Sequence, residues 1–221
     1  MNKIKAKEIL DLIKNEYIIN PKPELDFNNN FELLCAVMLS AQTTDKRVNI
    51  VTKELSLKYP NPNLLMNANI LDIIEIIKSV GLANNKAKNL IALSKMLYEK
   101  YNSIVPNSLE ELTKLPGVGR KTASVVLALG FNIPAMPVDT HVYRMAKRFD
   151  FIKYDEDISK AEENLKKYID KDIWIEAHHL LLLFGRYYCK SQNPLCKQCK
   201  LIKYCKYKKQ EFSKKGIKIW L

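Results

Sequence analysis

Apolar residues recur every three or four positions along most of this 221-residue chain. That is the spacing of one helical face. Ala6, Ile9, Leu10, Ile13 and Tyr17 form the first such stripe. Asn20 to Asn30, with Pro21, Pro23 and an asparagine run, reads as a linker. Phe31 to Ala41 is apolar almost throughout and predicts a buried helix. The polar stretch Ser40 to Asp45 caps the next helix, from about Lys46. Pro60 and Pro62 mark a turn. Ile70, Ile73, Ile74 and Ile77 make another stripe, stopped by Gly81. Asn84 is placed to cap a helix carrying Ala87, Leu90, Ile91, Ser94, Leu97 and Tyr101. Ser108 and Glu111 have capping-box spacing, and Pro116 ends the short helix they open. Thr122 to Gly130 is apolar nearly all round, so a second helix there is buried. Pro134 and Pro137 break the chain before Val138-Asp139-Thr140-His141. Ser159 and Glu162 suggest a second capping box, and Asp172 to Phe184 a last long helix. No strand alternation and no repeat is found, which predicts an all-α fold. The break near residues 133–137 predicts two lobes.

Charge changes this picture. The formal net charge is +12, and a chain this basic expects an acidic partner, nucleic acid first. Eleven Lys or Arg against one acid, Glu211, put 11 − 1 = +10 into Arg186 to Leu221. The longest uncharged run, Thr122 to Val138, is interrupted by Gly130, Asn132, Pro134 and Pro137, which argues against a membrane span. Glu8 and Asp11 within a lysine-rich N-terminus argue against a secretory signal. A cytoplasmic, nucleoid-associated monomer is expected.

The candidate chemistry gathers at three places. Gly117 and Gly119 allow positive φ in a tight hairpin between the two short helices. The amides of Gly117, Val118, Gly119 and Arg120, with the second helix's N-terminus, form an anion site suited to a DNA phosphate. Lys121 lies in that first turn, where it is either a further phosphate contact or a reactive amine. Asp139, just before a helix start, reads as an N-cap. Of the five cysteines, Cys35 is a core thiol. Cys189, Cys196, Cys199 and Cys205 are separated by six, two and five residues. Four thiols so close in sequence point to one metal site. Only Cys196 and Cys199 form a Cys-x-x-Cys knuckle, so the unequal spacing favours a [4Fe–4S] cluster over zinc without excluding zinc.

Taken together, these segments resemble the endonuclease III family of DNA repair glycosylases over almost the whole chain. The helix-hairpin-helix corresponds to Leu115–Ala123, the Val-Asp-Thr-His segment to Val138–His141, and the Leu-Ser-Ala-Gln-Thr-Thr-Asp turn to Leu39–Asp45. The cluster spacing corresponds to Cys189–Cys205. The resemblance implies a six-helix barrel domain at 21–133 and a [4Fe–4S] cluster domain from 1–20 and 134–221, with DNA in the cleft between. It makes Lys121 the nucleophile and Asp139 its carboxylate partner. Helix dipole and partial burial both favour the reactive amine of Lys121. It assigns Gln42 and Leu82 to filling the gap left by an extruded base, and lets His141 touch phosphate or the damaged base. His178 and His179 read as structural. One departure is Phe184-Gly185-Arg186, where family members often carry His-Gly-Arg.

The function implied is a bifunctional glycosylase and AP lyase acting on oxidised pyrimidines in double-stranded DNA. The alternative among enzymes is a monofunctional mismatch glycosylase; relatives that resemble the adenine-specific enzyme lack the hairpin lysine and usually carry a further C-terminal domain. A non-catalytic DNA-binding module would have no use for Lys121 and Asp139 together.

Overall fold

The computed structural model describes residues 1–19 and 21–207. Residues 208–221, with part of the basic C-terminal segment, lie outside the described residues. Among these, the regular structure is helical, with eleven α-helices and no strand. No helix is long and apolar enough to cross a membrane. The backbone divides into two units, one of Pro23–Ala135 and one of Met1–Lys22 with the described residues from Met136 on.

The first of these holds α2 (Asn30–Leu39), α3 (Asp45–Lys58), α4 (Pro62–Met66), α5 (Ile70–Ile77), α6 (Ala83–Tyr101), α7 (Leu109–Lys114) and α8 (Arg120–Phe131). Helix α2 is its axis. Every residue from Phe31 to Leu39 except Glu32 is buried, and the helix packs against α3, α6 and α8. Asn29 caps it by accepting from the Glu32 amide at 2.9 Å, while the Glu32 carboxylate accepts from the Asn28 amide at 2.8 Å. This reciprocal arrangement fixes where the apolar run becomes helix. Cys35 is buried in this core, and burial pushes its thiol up to about 12. It is an inert packing group.

The other unit holds α1 (Lys3–Glu16), α9 (Thr140–Arg148), α10 (Ile158–Tyr168) and α11 (Trp174–Tyr187). Ala6, Ile9, Leu10 and Ile13 of α1 pack on α11, which also packs on α9. The N-terminal stripe thus finds its partner about 170 residues further along the chain. Gly185 permits the close approach of α9 and α11: a Cβ there would sit 3.2 Å from both the Cβ and the carbonyl oxygen of His141.

Two expected caps are elsewhere. Helix α10 starts at Ile158, and Asp157 caps it by accepting from the amides of Ser159 and Lys160. The carboxylate displaces the Ser159 box because an ionised acceptor facing helix amides is the stronger partner. Helix α6 is not capped by Asn84. It begins after Leu82, which sits in the left-handed region at φ 62° with no side-chain cap bond.

Candidate active site and cysteine centre

The hairpin is built from its two plugs. Leu115 and Val118 are buried, and the Val118 amide donates to the Leu115 carbonyl at 3.1 Å to close the turn. Gly117 has φ 77°, and a Cβ there would come within 2.9 Å of Asn89 Nδ2 and Met38 Sδ. Only glycine meets both demands. Gly119 departs from the expectation. Its φ is −86° and ψ 172°, extended backbone open to any residue. Its contribution is a missing side chain. Asn2, Asn29, Asn61, Asn69, Ser108, Asp139 and Asp157 each close the first turn of their helix with a side-chain oxygen. Gly119 closes nothing at the start of α8. No side chain covers the positive end of that helix, as is also true of α3, α6 and α11.

Arg120 and Lys121 are the first two residues of α8, and both are exposed. The partial burial expected for Lys121 is absent. Helix α8 is buried on most sides from Ala123 to Ala128, and Lys121 is exposed because it stands in the first turn, before that stretch. Solvent access suits a nucleophile that must meet a macromolecular substrate.

Asp139 is the N-cap of α9. Its Oδ1 accepts from the amides of His141 at 2.9 Å and Val142 at 2.8 Å. Both bonds use one oxygen, so Oδ2 takes no part in the cap. His178 on α11 donates through Nδ1 to the Pro137 carbonyl at 2.8 Å, two residues before Asp139. This buried histidine thus anchors the segment that presents the carboxylate. Arg144 donates to His141 Nδ1 at 3.2 Å. A ring that accepts there carries its proton on Nε2.

Gln42 and Leu82 are exposed turn residues within the Pro23–Ala135 unit, and both adopt the left-handed region, at φ 59° and 62°. Leu82 is 59% exposed, where a leucine is more often buried.

The cysteines lie in the other unit. Cys189, Cys196 and Cys199 line one cavity of about 110 Å³ with Tyr17, Phe184 and Tyr188. Cys205 is buried. Among the described residues, no three of His, Cys, Asp and Glu are drawn close enough to hold a single metal ion. The donor chemistry nevertheless fits an anionic sulfur centre. Arg148, 5% exposed, donates to Cys189 Sγ at 3.0 Å and to the carbonyls of Cys189 and Lys190 at 3.1 and 2.9 Å. Arg144 donates to the Cys189 carbonyl at 3.1 Å and to that of Gly185 at 2.6 Å. A guanidinium placed on a sulfur is a stronger partner for a thiolate than for a neutral thiol. Burial pushes the Cys189 thiol up to about 11, against the pull of Arg148. A metal centre would displace that proton. Neither arginine was singled out in the sequence. The signal was present in α9, where Arg148 follows the buried Val142, Met145 and Ala146 in helical register.

Phe184, in place of the family's usual histidine, is fully buried. It packs edge-on against Tyr17 with centroids 4.9 Å apart and stacks with Phe149 and Tyr188 at 6.0 and 5.9 Å. It is a packing residue in the wall beside the cysteines.

The chain can now be set beside known proteins. Residues 35–171 match the model of the HhH-GPD superfamily base excision DNA repair protein. Endonuclease III of Bacillus subtilis (strain 168) is 46% identical over 194 residues, covering 88% of both chains. That of Escherichia coli (strain K12) is 40% identical over 212 residues, covering 95% of this chain and 99% of the relative. The solved structure of a trapped endonuclease III–DNA covalent intermediate superposes with a TM-score of 0.91 at 43% identity, covering 96% of this chain and 99% of that one. A thermostable thymine-DNA glycosylase at 22% identity, with a TM-score of 0.79, shares the fold. On the family match, the identities and the coverage together, this chain belongs to the endonuclease III family, within the HhH-GPD superfamily of base excision DNA repair proteins.

Proposed function

We propose that this chain removes oxidised pyrimidines from double-stranded DNA through Lys121 and then cleaves the strand at the abasic site, working as a monomer. Membership of the family makes it a base excision repair glycosylase and lyase. The observation that carries the finer reading is Lys121 itself: an exposed lysine beside an uncapped helix N-terminus, in a chain 43% identical to an enzyme trapped covalently on DNA. The hairpin amides and Arg120 hold a backbone phosphate. The Lys121 amine attacks C1′ of the damaged nucleotide, the C1′–base bond breaks, and the base leaves with its electron pair and a proton. The nitrogen lone pair then opens the sugar ring: the C1′–O4′ bond breaks, O4′ takes up a proton, and C1′ and the nitrogen are left joined as the protonated Schiff base. The imine acidifies the C2′ proton, and β-elimination expels the 3′ phosphate. The Asp139 carboxylate accepts a proton from Lys121, which frees the amine, and stabilises oxocarbenium character at C1′. Gln42 and Leu82 enter the stack as the nucleotide leaves it, and His141 touches phosphate or the extruded base. Borohydride added to the enzyme with duplex containing one abasic site should leave a covalent protein–DNA adduct. Cleavage without any adduct would remove the Schiff base from the reaction.

Cys189, Cys196, Cys199 and Cys205 would hold a [4Fe–4S] cluster, with Arg148 and Arg144 fixing Cys189. When bound, the cluster supplies a structural cross-link and a negative centre that the surrounding cations offset. Protein purified without oxygen should be brown and carry about four irons per chain. Colourless protein with one zinc would overturn the cluster.

A further inference from the structure

Lys86 stands where the helical pattern asks for an apolar residue. It shares a face of α6 with Leu90, Leu93 and Leu97 and is 5% exposed. A buried ammonium needs acceptors. Lys86 Nζ donates to the carbonyls of Leu39 and Ala41, each at 2.8 Å. Leu39 ends α2, so its carbonyl is among those a helix leaves unbonded at its negative end. The Ala41 carbonyl belongs to the peptide that joins Ala41 to Gln42. Pinning it fixes the plane from which Gln42 enters its left-handed φ of 59°. The same lysine is tied to the second turn through its backbone: the Lys86 amide donates to the Leu82 carbonyl at 3.0 Å. Left-handed backbone is disfavoured for any side-chain-bearing L-residue, so both turns need a restraint. Lys86 bonds to both.

We propose that Lys86 is a positioning residue that holds Gln42 and Leu82 in one fixed relation, so that both enter the duplex together when the damaged nucleotide is extruded. The inference rests on the gap-filling role proposed above for Gln42 and Leu82. Losing a lysine that only capped α2 would lower the melting temperature, and the effect on excision would be independent of those two residues.

The test compares single-turnover excision of a lesion in paired duplex by the wild type, Lys86→Met, Gln42→Ala/Leu82→Ala and the triple variant. Lys86→Met keeps the length and removes the donors. It should slow excision about tenfold, with a smaller loss when the lesion lies opposite a gap. In the Gln42→Ala/Leu82→Ala background the same change should cost no more than about twofold, because residues acting as one unit are not additive. Lys86→Gln keeps an amide donor, should give a smaller loss with the same pattern, and carries the comparison should the methionine variant fail to fold. Losses that multiply, or excision by Lys86→Met at the wild-type rate, would overturn the positioning role while leaving the gap-filling role standing. Excision by Gln42→Ala/Leu82→Ala at the wild-type rate would remove the gap-filling role, and the Lys86 proposal with it.

Discussion

Lys121→Gln is expected to abolish borohydride trapping and strand cleavage while DNA binding and the fold persist. Glutamine approaches lysine in length and stays polar, but its amide nitrogen has no basic lone pair with which to attack C1′. Loss of the nucleophile should lower cleavage on the order of a thousandfold or more. The fold should not notice. Lys121 is exposed on the first turn of α8, and surface substitutions of this kind stay within about 0.5 kcal/mol. The hairpin amides that hold phosphate belong to the backbone and survive the change. Gel-shift affinity, melting temperature and trapping should be measured on one preparation, with peptide mapping of the wild-type adduct. An adduct on another residue, or full cleavage by Lys121→Gln, would remove Lys121 from the reaction.

Asp139 offers a sharper separation, because one side chain carries a structural and a chemical task on different oxygens. The cap uses Oδ1, which accepts from His141 and Val142. Asparagine retains an equivalent oxygen and the shape, and is as good an N-cap as aspartate. Asp139→Asn should therefore leave the melting temperature nearly unchanged, apart from the small favourable term of a negative charge at a helix N-terminus. It removes the ionised carboxylate, so excision should fall about a hundredfold or more. Asp139→Ala removes the cap as well and should cost a further 1 kcal/mol or so of stability. Melting curves with single-turnover excision on all three proteins make the comparison. Equal stability losses from Asn and Ala, or near-normal excision by Asp139→Asn, would refute the division of labour.

The parts of the fold that were legible are those a short window of sequence controls. The stripe Ala6, Ile9, Leu10 and Ile13 is the buried face of α1. Ser108 caps α7 by accepting from the Glu111 amide at 3.2 Å. Misplaced starts were those with two local candidates in competition. Asp157 prevailed over Ser159 through its charge. For α6, the backbone at Leu82 turned before Asn84 could cap it.

By itself the sequence determined the helical class, the hairpin, the position of Asp139 at a helix start and the grouping of the four C-terminal cysteines. Each of these follows from residues within about one helical turn or one loop of each other, where spacing is geometry. The tertiary structure alone decided what depends on distant partners. Gly117 is required because Asn89 and Met38 crowd it. Lys121 is exposed because the rest of α8 is drawn into the core. Arg148 is buried because its donors reach Cys189 and Lys190, about forty residues on. Lys86 is buried because the carbonyls of Leu39 and Ala41, nearly fifty positions earlier, come to it. In a one-dimensional pattern a charge on an apolar stripe is only an exception to the period. Folding brings in the acceptors that make its burial affordable, and those acceptors are backbone carbonyls, which every residue carries and no sequence pattern marks.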